Sequence, residues 1–168
     1  MELDEAIRNR RTHKAYRREP VGHETLAELF ELARWAPNHN LTNPWRFRVV
    51  GPEALERLKE AAGPEAAPKF DRAPTLVVCS AALSGDAVCD EEDLHAVACA
   101  AYIVLLAAHG RGLVGYWRTP GVLRTEAGRK AVGIGAERFV GLLYLGHPVQ
   151  EQRAPEREPV AGTVQFLD

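Results

Sequence analysis

The sequence predicts one mixed domain in which helices alternate with four or five strands, and three observations carry that prediction. Two stretches, Thr75 to Ser80 (TLVVCS) and Arg138 to Gly146 (RFVGLLYLG), are apolar over the length of a strand, as central strands are. Two others, Leu26 to Ala33 and Asp93 to Gly110, carry apolar residues at helical spacing or nearly all round. Over 168 residues, 46% are hydrophobic and 26% charged, with no block of one sign. That composition supplies one core for a single domain over 1–168 and leaves no long stretch to disorder.

The elements follow in order. Residues 3–9 begin a short helix with Leu3, Ala6 and Ile7 on one face. A basic turn, Arg10-Arg11-Thr12, leads through Tyr16 to Pro20. Thr25, Leu26, Leu29, Phe30, Leu32 and Ala33 then mark a second helix up to Trp35, stopped by Pro37. Residues 37–44 (PNHNLTNP) form a polar loop between two prolines. Trp45 to Val50 alternates aromatic or branched residues with arginine, a strand pattern. Glu53 to Ala62 reads as a surface helix, Gly63 to Pro68 as a link, and Pro74 introduces the first central strand. Ser84 to Glu92 reads as an exposed turn. Asp93 to Gly110 is the longest helix, apolar nearly all round and therefore expected to be buried, with Glu91, Glu92 and Asp93 complementing the dipole at its start. Leu113 to Arg118 is a short extended piece, Arg124 to Val132 a polar helix, and Arg138 to Gly146 the second central strand. A charged, proline-rich tail from Gln150 to Pro159 precedes a last extended segment, Thr163 to Leu167. Such an arm (150–168) cannot easily pack on its own domain and is expected to join a partner's sheet.

Several function classes fall away. A net charge of -2 gives no basic face for nucleic acid. The first residues lack the apolar core of a secretory leader, and the run Ala96 to Ala108 is too short to span a bilayer, so no membrane partner is expected. Cys79, Cys89 and Cys99 form no CxxC pair and fit reduced thiols packed in the core of a cytoplasmic protein. The six histidines include no pair at i, i+3 or i, i+4, so no metal site is expected. No dinucleotide-binding glycine fingerprint, P-loop, nucleophile elbow or HExxH is present.

Three stretches can carry chemistry. Arg10, Arg11, Thr12 and Lys14 suit a phosphate, through forked guanidinium bonds, a hydroxyl and a mobile ammonium. Alone, the run reads as a solvated basic turn. The 37–44 loop offers Asn38, Asn43 and His39 to the edge of a heterocycle, although asparagine and proline are also what loops are made of. In Gly112 to Gly121 (GLVGYWRTPG), two glycines let backbone approach a flat ligand beside Arg118, and a tight turn with a packed tryptophan explains the same residues.

Taken together and in order, RRTHKAY, APNHNLTNPWRF and GLVGYWRTPG, with the closing FVGLLYLGHP, resemble the FMN-dependent nitroreductase family over essentially the whole chain. The resemblance implies an α+β fold with a mainly antiparallel sheet of four or five strands flanked by helices. It also implies an intertwined homodimer with exchanged C-terminal arms, the long helix at the dimer core and FMN at the subunit interface. Arg10 and Thr12 would hold the FMN phosphate and ribityl chain, with Arg11 nearby and Lys14 at the pyrimidine end. Pro37, Asn38 and His39 would come from the partner subunit and face the ring, and Trp35 and Asn43 would also contact the cofactor. Trp117, Arg118 and Thr119 would complete the pocket. The implied activity is an NADH- or NADPH-dependent oxidoreductase reducing a nitroaromatic, quinone or enone in a ping-pong cycle, with His39 as the one catalytic candidate. The alternatives are a flavoenzyme of the same fold that does not use NAD(P)H, and a non-catalytic flavin-binding module. Thr12 stands where the family has serine and Asn43 where it has glutamine, and Arg153 or Arg157 would replace its terminal phosphate-binding pair.

Overall fold

The computed structural model describes residues 2–153 and 156–167. Its centre is a four-stranded sheet in the order β1-β2-β4-β3, formed by β1 (Trp45–Val49), β2 (Thr75–Ala81), β3 (Val114–Arg118) and β4 (Arg138–Gly146), antiparallel throughout. The two apolar runs take the inner positions, β2 and β4. Every residue of β2 is buried, because helices cover both faces of the sheet. The fold is α+β, as the resemblance implies.

Side-chain alternation along the strands divides the core in two. Val77, Cys79, Leu143 and Leu145 face α2 (His23–Ala33) and α4 (Ala87–Gly110), where Leu26, Leu29, Val97 and Val104 complete one cluster. Leu76, Val78, Leu142 and Tyr144 face α3 (Pro52–Ala62) and α5 (Glu126–Ala131), packing with Leu58, Phe70 and Leu123. The short α1 (Leu3–Asn9) lies against α4.

Several expectations need correction. The stretch read as an exposed turn instead contains the start of α4, which begins at Ala87. Asp86 caps it by accepting from the backbone N–H groups of Val88 and Cys89 at 3.1 and 2.9 Å. Glu91, Glu92 and Asp93 therefore lie inside the helix, beyond its first turn. At 24 residues α4 is long and apolar enough to cross a bilayer by length and composition, yet here it packs against all four strands. Nor is it buried all round: Val88, Cys99 and Tyr102 are exposed along a strip left open among the described residues. For the same reason only Cys79 is a core thiol, its ionisation pushed up by burial; Cys89 is half-buried and Cys99 exposed.

The polar helix expected over 124–132 divides at Thr125. A 3-10 turn, Gly121–Arg124, precedes α5, and the Thr125 hydroxyl accepts from Gly128 N at 3.2 Å. A Cβ at Gly128 would collide with the Val122 carbonyl, so this corner needs glycine. Among the described residues the closing segment forms no strand. After a 3-10 turn at Val160–Gly162, Phe166 is 93% and Leu167 83% exposed, with no strand of their own sheet beside them.

Candidate functional site

The basic turn is sorted by backbone geometry. α1 ends at Asn9, Arg10 leaves the helix at φ -58° and ψ 133°, and the chain runs extended beside β3. Thr12 bridges Gly115, His13 N donates to the Gly115 carbonyl at 3.2 Å, and Tyr16 bridges Pro148. An extended segment sends alternate side chains to opposite sides. Thr12 and Lys14 are exposed, whereas Arg11 and His13 are buried.

Arg10 lays its guanidinium over the Tyr102 ring, 5.5 Å from the centroid, on the uncovered strip of α4. Its Nε is buried without a hydrogen-bond partner among the described residues. Arg11 instead turns its Nη1 to the carbonyls of Arg8 and Arg10, both at 2.6 Å. It lines a cavity of about 460 Å³ with His13 and His109. Burial, the neighbouring imidazole and Arg11 hold His13 below the ordinary histidine value; burial, then Arg10 and Arg11, do the same to His109.

The 37–44 loop is exposed and shaped by its own amides. Asn38 Oδ1 accepts from Asn43 N at 3.0 Å, Asn38 Nδ2 donates to Ala36 O at 3.2 Å, and Asn43 Nδ2 donates to Leu41 O at 2.8 Å. Asn40, Leu41 and Asn43 all adopt positive φ, between 48 and 52°. For leucine in particular that is an uncommon conformation. Two contacts tie the loop to α4: His39 Nδ1 stands 3.5 Å from Glu92 Oε2, and the Thr42 hydroxyl donates to Asp93 Oδ1 at 2.6 Å. Trp35, just before the loop, is 76% exposed, with the Arg34 guanidinium over its ring.

On β3, Trp117 and Arg118 point to opposite faces. Trp117 packs over Gly141 on the α2/α4 side. Arg118 lies among the α3-side tyrosines, donating to Tyr144 Oη at 3.0 Å with its guanidinium over the Tyr144 and Tyr116 rings. Thr119 is exposed, as are Arg153 and Arg157.

The structure thus gathers Arg10, Thr12 and Lys14 on one extended edge. It sets Arg11 apart and places Pro37 to Asn43 at the opposite end of α4's middle section. Glu92, beside His39, and Tyr102, under Arg10, are ten residues apart on α4, ~15 Å along its axis. Sequence reading did not single out Tyr102, and it gave Asp93 only a place at a helix start. The one signal for Tyr102 is that it interrupts the apolar run from Val97 to Ala108. Among the described residues no group of three or more His, Cys, Asp or Glu gathers as metal ligands.

Comparison with known proteins agrees with this geometry. The profile described as the nitroreductase family matches residues 7–147. YfhC of Bacillus subtilis, a candidate NAD(P)H nitroreductase by name, is 24% identical, over 94% of this chain and 90% of its own. The 5,6-dimethylbenzimidazole synthase of Rhodospirillum rubrum is 30% identical, over 93% and 86%. Among solved structures, a nitroreductase-like protein from Bacillus cereus superposes with a TM-score of 0.89 at 23% identity, covering 100% of this chain and 97% of its own. The FMN- and NADPH-dependent nitroreductase NfnB of a Sphigopyxis strain superposes at 0.82 and 16% identity, covering 100% of both. The solved structures establish likeness of fold. The match over residues 7–147 establishes more: this chain belongs to the nitroreductase family.

Proposed function

We propose that this protein is an FMN-dependent oxidoreductase that passes electrons from NADH or NADPH to a small acceptor, a nitroaromatic, quinone or enone. The observation that carries this reading is Arg10, whose half-buried guanidinium lies on Tyr102 with an unpartnered Nε, beside the exposed Thr12 and Lys14. This edge fits the cofactor. Arg10 can give its remaining N–H groups to a phosphate, Thr12 a hydroxyl to the ribityl chain, and Lys14 a positive charge to the pyrimidine edge. Bound FMN would supply two-electron redox chemistry between the nicotinamide and the acceptor, in ping-pong order.

The protein's part is to bind, orient and exclude water. No side chain on the Arg10 edge need act as acid or base, and His39 is the one imidazole offered to a ring or a proton. His39 and Arg10 lie against residues of α4 that are ~15 Å apart along its axis, and in this reading one chain brings only part of the contacts to each flavin. Two chains complete it, with Pro37, Asn38 and His39 coming from the partner. The uncovered strip of α4 and the exposed closing segment support a homodimer. The free outer edge of β1 is a place for the partner's arm, since β3 is flanked by the Thr12 segment.

A second reading is a flavoenzyme of the same fold that does not use NAD(P)H; likeness to a protein named 5,6-dimethylbenzimidazole synthase supports a reaction other than acceptor reduction. Rapid anaerobic mixing of FMN-loaded protein with NADH and NADPH separates the two: bleaching of the flavin supports the reductase. A loaded flavin unchanged by either nucleotide supports the second reading.

A further inference from the structure

The loop that bears His39 is held in a shape its sequence does not prefer. Asn40, Leu41 and Asn43 sit at φ 50, 52 and 48°, and Leu41 is 76% exposed, so burial does not compensate its strain. The loop's amide bonds close it on itself but do not fix where it stands on the protein. Arg46 Nη1 donates to the Asn43 carbonyl at 3.0 Å and Ala82 N to the Pro44 carbonyl at 2.8 Å, and the remaining anchors come from α4. Asp93 is 4% exposed, the one buried member of the acidic run Asp90 to Asp93 in α4, and it accepts the Thr42 hydroxyl at 2.6 Å across 51 residues of chain. Burying a carboxylate is costly, so a contact of this kind is retained for what it positions rather than for stability alone. One residue earlier on the helix, the largely exposed Glu92 meets His39 at 3.5 Å.

We propose that Asp93 is a positioning residue. Through Thr42 it locks the strained 38–43 loop against α4 and so fixes the place of His39 on the flavin ring. The proposal rests on the reading of His39 as a ring contact. Glu92 steers the imidazole at the surface, and Asp93 sets the loop that carries it.

The test uses the full-length protein with Thr42→Val, Thr42→Ser, Asp93→Asn and His39→Ala, alone and combined. Thr42 is exposed, so Thr42→Val removes the hydrogen bond without emptying a core. In the FMN-free protein, amide exchange over residues 38–43 is expected to quicken about tenfold in Thr42→Val and to stay as wild type in Thr42→Ser. In the FMN-loaded protein, Thr42→Val is expected to alter the visible circular dichroism of the flavin. It is also expected to slow reoxidation by a quinone about tenfold, with kcat/KM for the nicotinamide unchanged. Adding Thr42→Val to His39→Ala should cost nothing further, because the two act through one contact. Asp93→Asn, which can still accept the hydroxyl, should fall between the two Thr42 variants.

The proposal is overturned if Thr42→Val only lowers the melting temperature, or if its kinetic loss persists in full beside His39→Ala. It is equally overturned if loop exchange is unaltered. Wild-type protein that takes up no FMN would instead refute the functional reading, while the exchange data would still report on the loop.

Discussion

Arg10 and Arg11 are consecutive in the chain and serve opposite sides of it. Both keep a buried Nε with no partner among the described residues, but Arg10 rests on Tyr102, whereas Arg11 is 9% exposed and bonded through Nη1 to the carbonyls of Arg8 and Arg10. The extended backbone beside Gly115 enforces the split.

It follows that Arg10→Ala should weaken FMN binding by about ten- to a hundredfold, the value of one charged hydrogen bond or two. Arg11→Ala should leave FMN affinity within about threefold and instead lower stability by roughly 1–3 kcal/mol, because two carbonyls lose their donor. Fluorescence titration with FMN and thermal melting of the FMN-free protein read the two effects separately. Equal loss of FMN in both variants would place Arg11 in the cofactor site after all.

The pair His13 and His109 gives a dependence on acid. Both imidazoles are held below the ordinary histidine value, chiefly by burial, so the folded state binds fewer protons than the unfolded chain. Their stabilisation is therefore full above the unfolded value, about 6.5, and is lost as the pH falls below it. The melting temperature should drop between about pH 7 and about pH 5, and His109→Gln should flatten that slope. A slope unchanged by the substitution would assign the acid sensitivity to other groups.

Much of this architecture was legible in the residues, and what was not has physical reasons. β2 and β4 announced themselves as apolar runs because both faces of the sheet are covered, and Pro37 and Pro44 bracketed a loop that the fold keeps. The three stretches that carried the family resemblance pointed to residues that the fold distributes over two ends of α4. The phase of α4 was hidden because a helix apolar nearly all round has no clear periodicity. Asp93 facing inward and Cys99 facing outward could not be read from it. Asp86 as its cap lay within a Ser-Gly-Asp cluster that resembles a turn, and caps and turns use the same residues. The parting of Arg10 from Arg11 depends on Gly115, more than a hundred residues away, and no local pattern reports it.

Arg48 and Glu137 tie the outer strand to the sheet. Arg48 donates through Nη1 and Nη2 to both carboxylate oxygens at 2.8 and 2.6 Å, and Ser80 on the intervening strand donates to the same carboxylate at 2.5 Å. Arg48, foremost, holds the Glu137 carboxyl below the usual range. Its contribution is therefore present above the unfolded value, about 4.3, and is lost as the pH falls below that. Glu137→Gln should cost on the order of 1–3 kcal/mol at neutral pH. A double-mutant cycle with Arg48→Met should return coupling of at least about 1 kcal/mol. Additive losses would show that the fork contributes nothing of its own.

The closing segment supplies a test of assembly. Val164, Phe166 and Leu167 are exposed, and the outer edge of β1 has no partner strand among the described residues. Ending the chain after Pro159 should weaken self-association by at least about tenfold in sedimentation and reduce FMN retention with it. A truncated chain that remains dimeric and fully loaded would free the arm from any part in the interface.

The central claim is that this chain binds FMN and uses it to move electrons from a nicotinamide. Its most direct test is a single anaerobic experiment on FMN-loaded protein, mixing with NADPH or NADH and following the flavin absorbance before and after a quinone is added. The account predicts bleaching by at least one nucleotide and full recovery of the oxidised spectrum on addition of the quinone. A protein that acquires no flavin absorbance with added FMN, or a bound flavin that neither nucleotide bleaches, would contradict it.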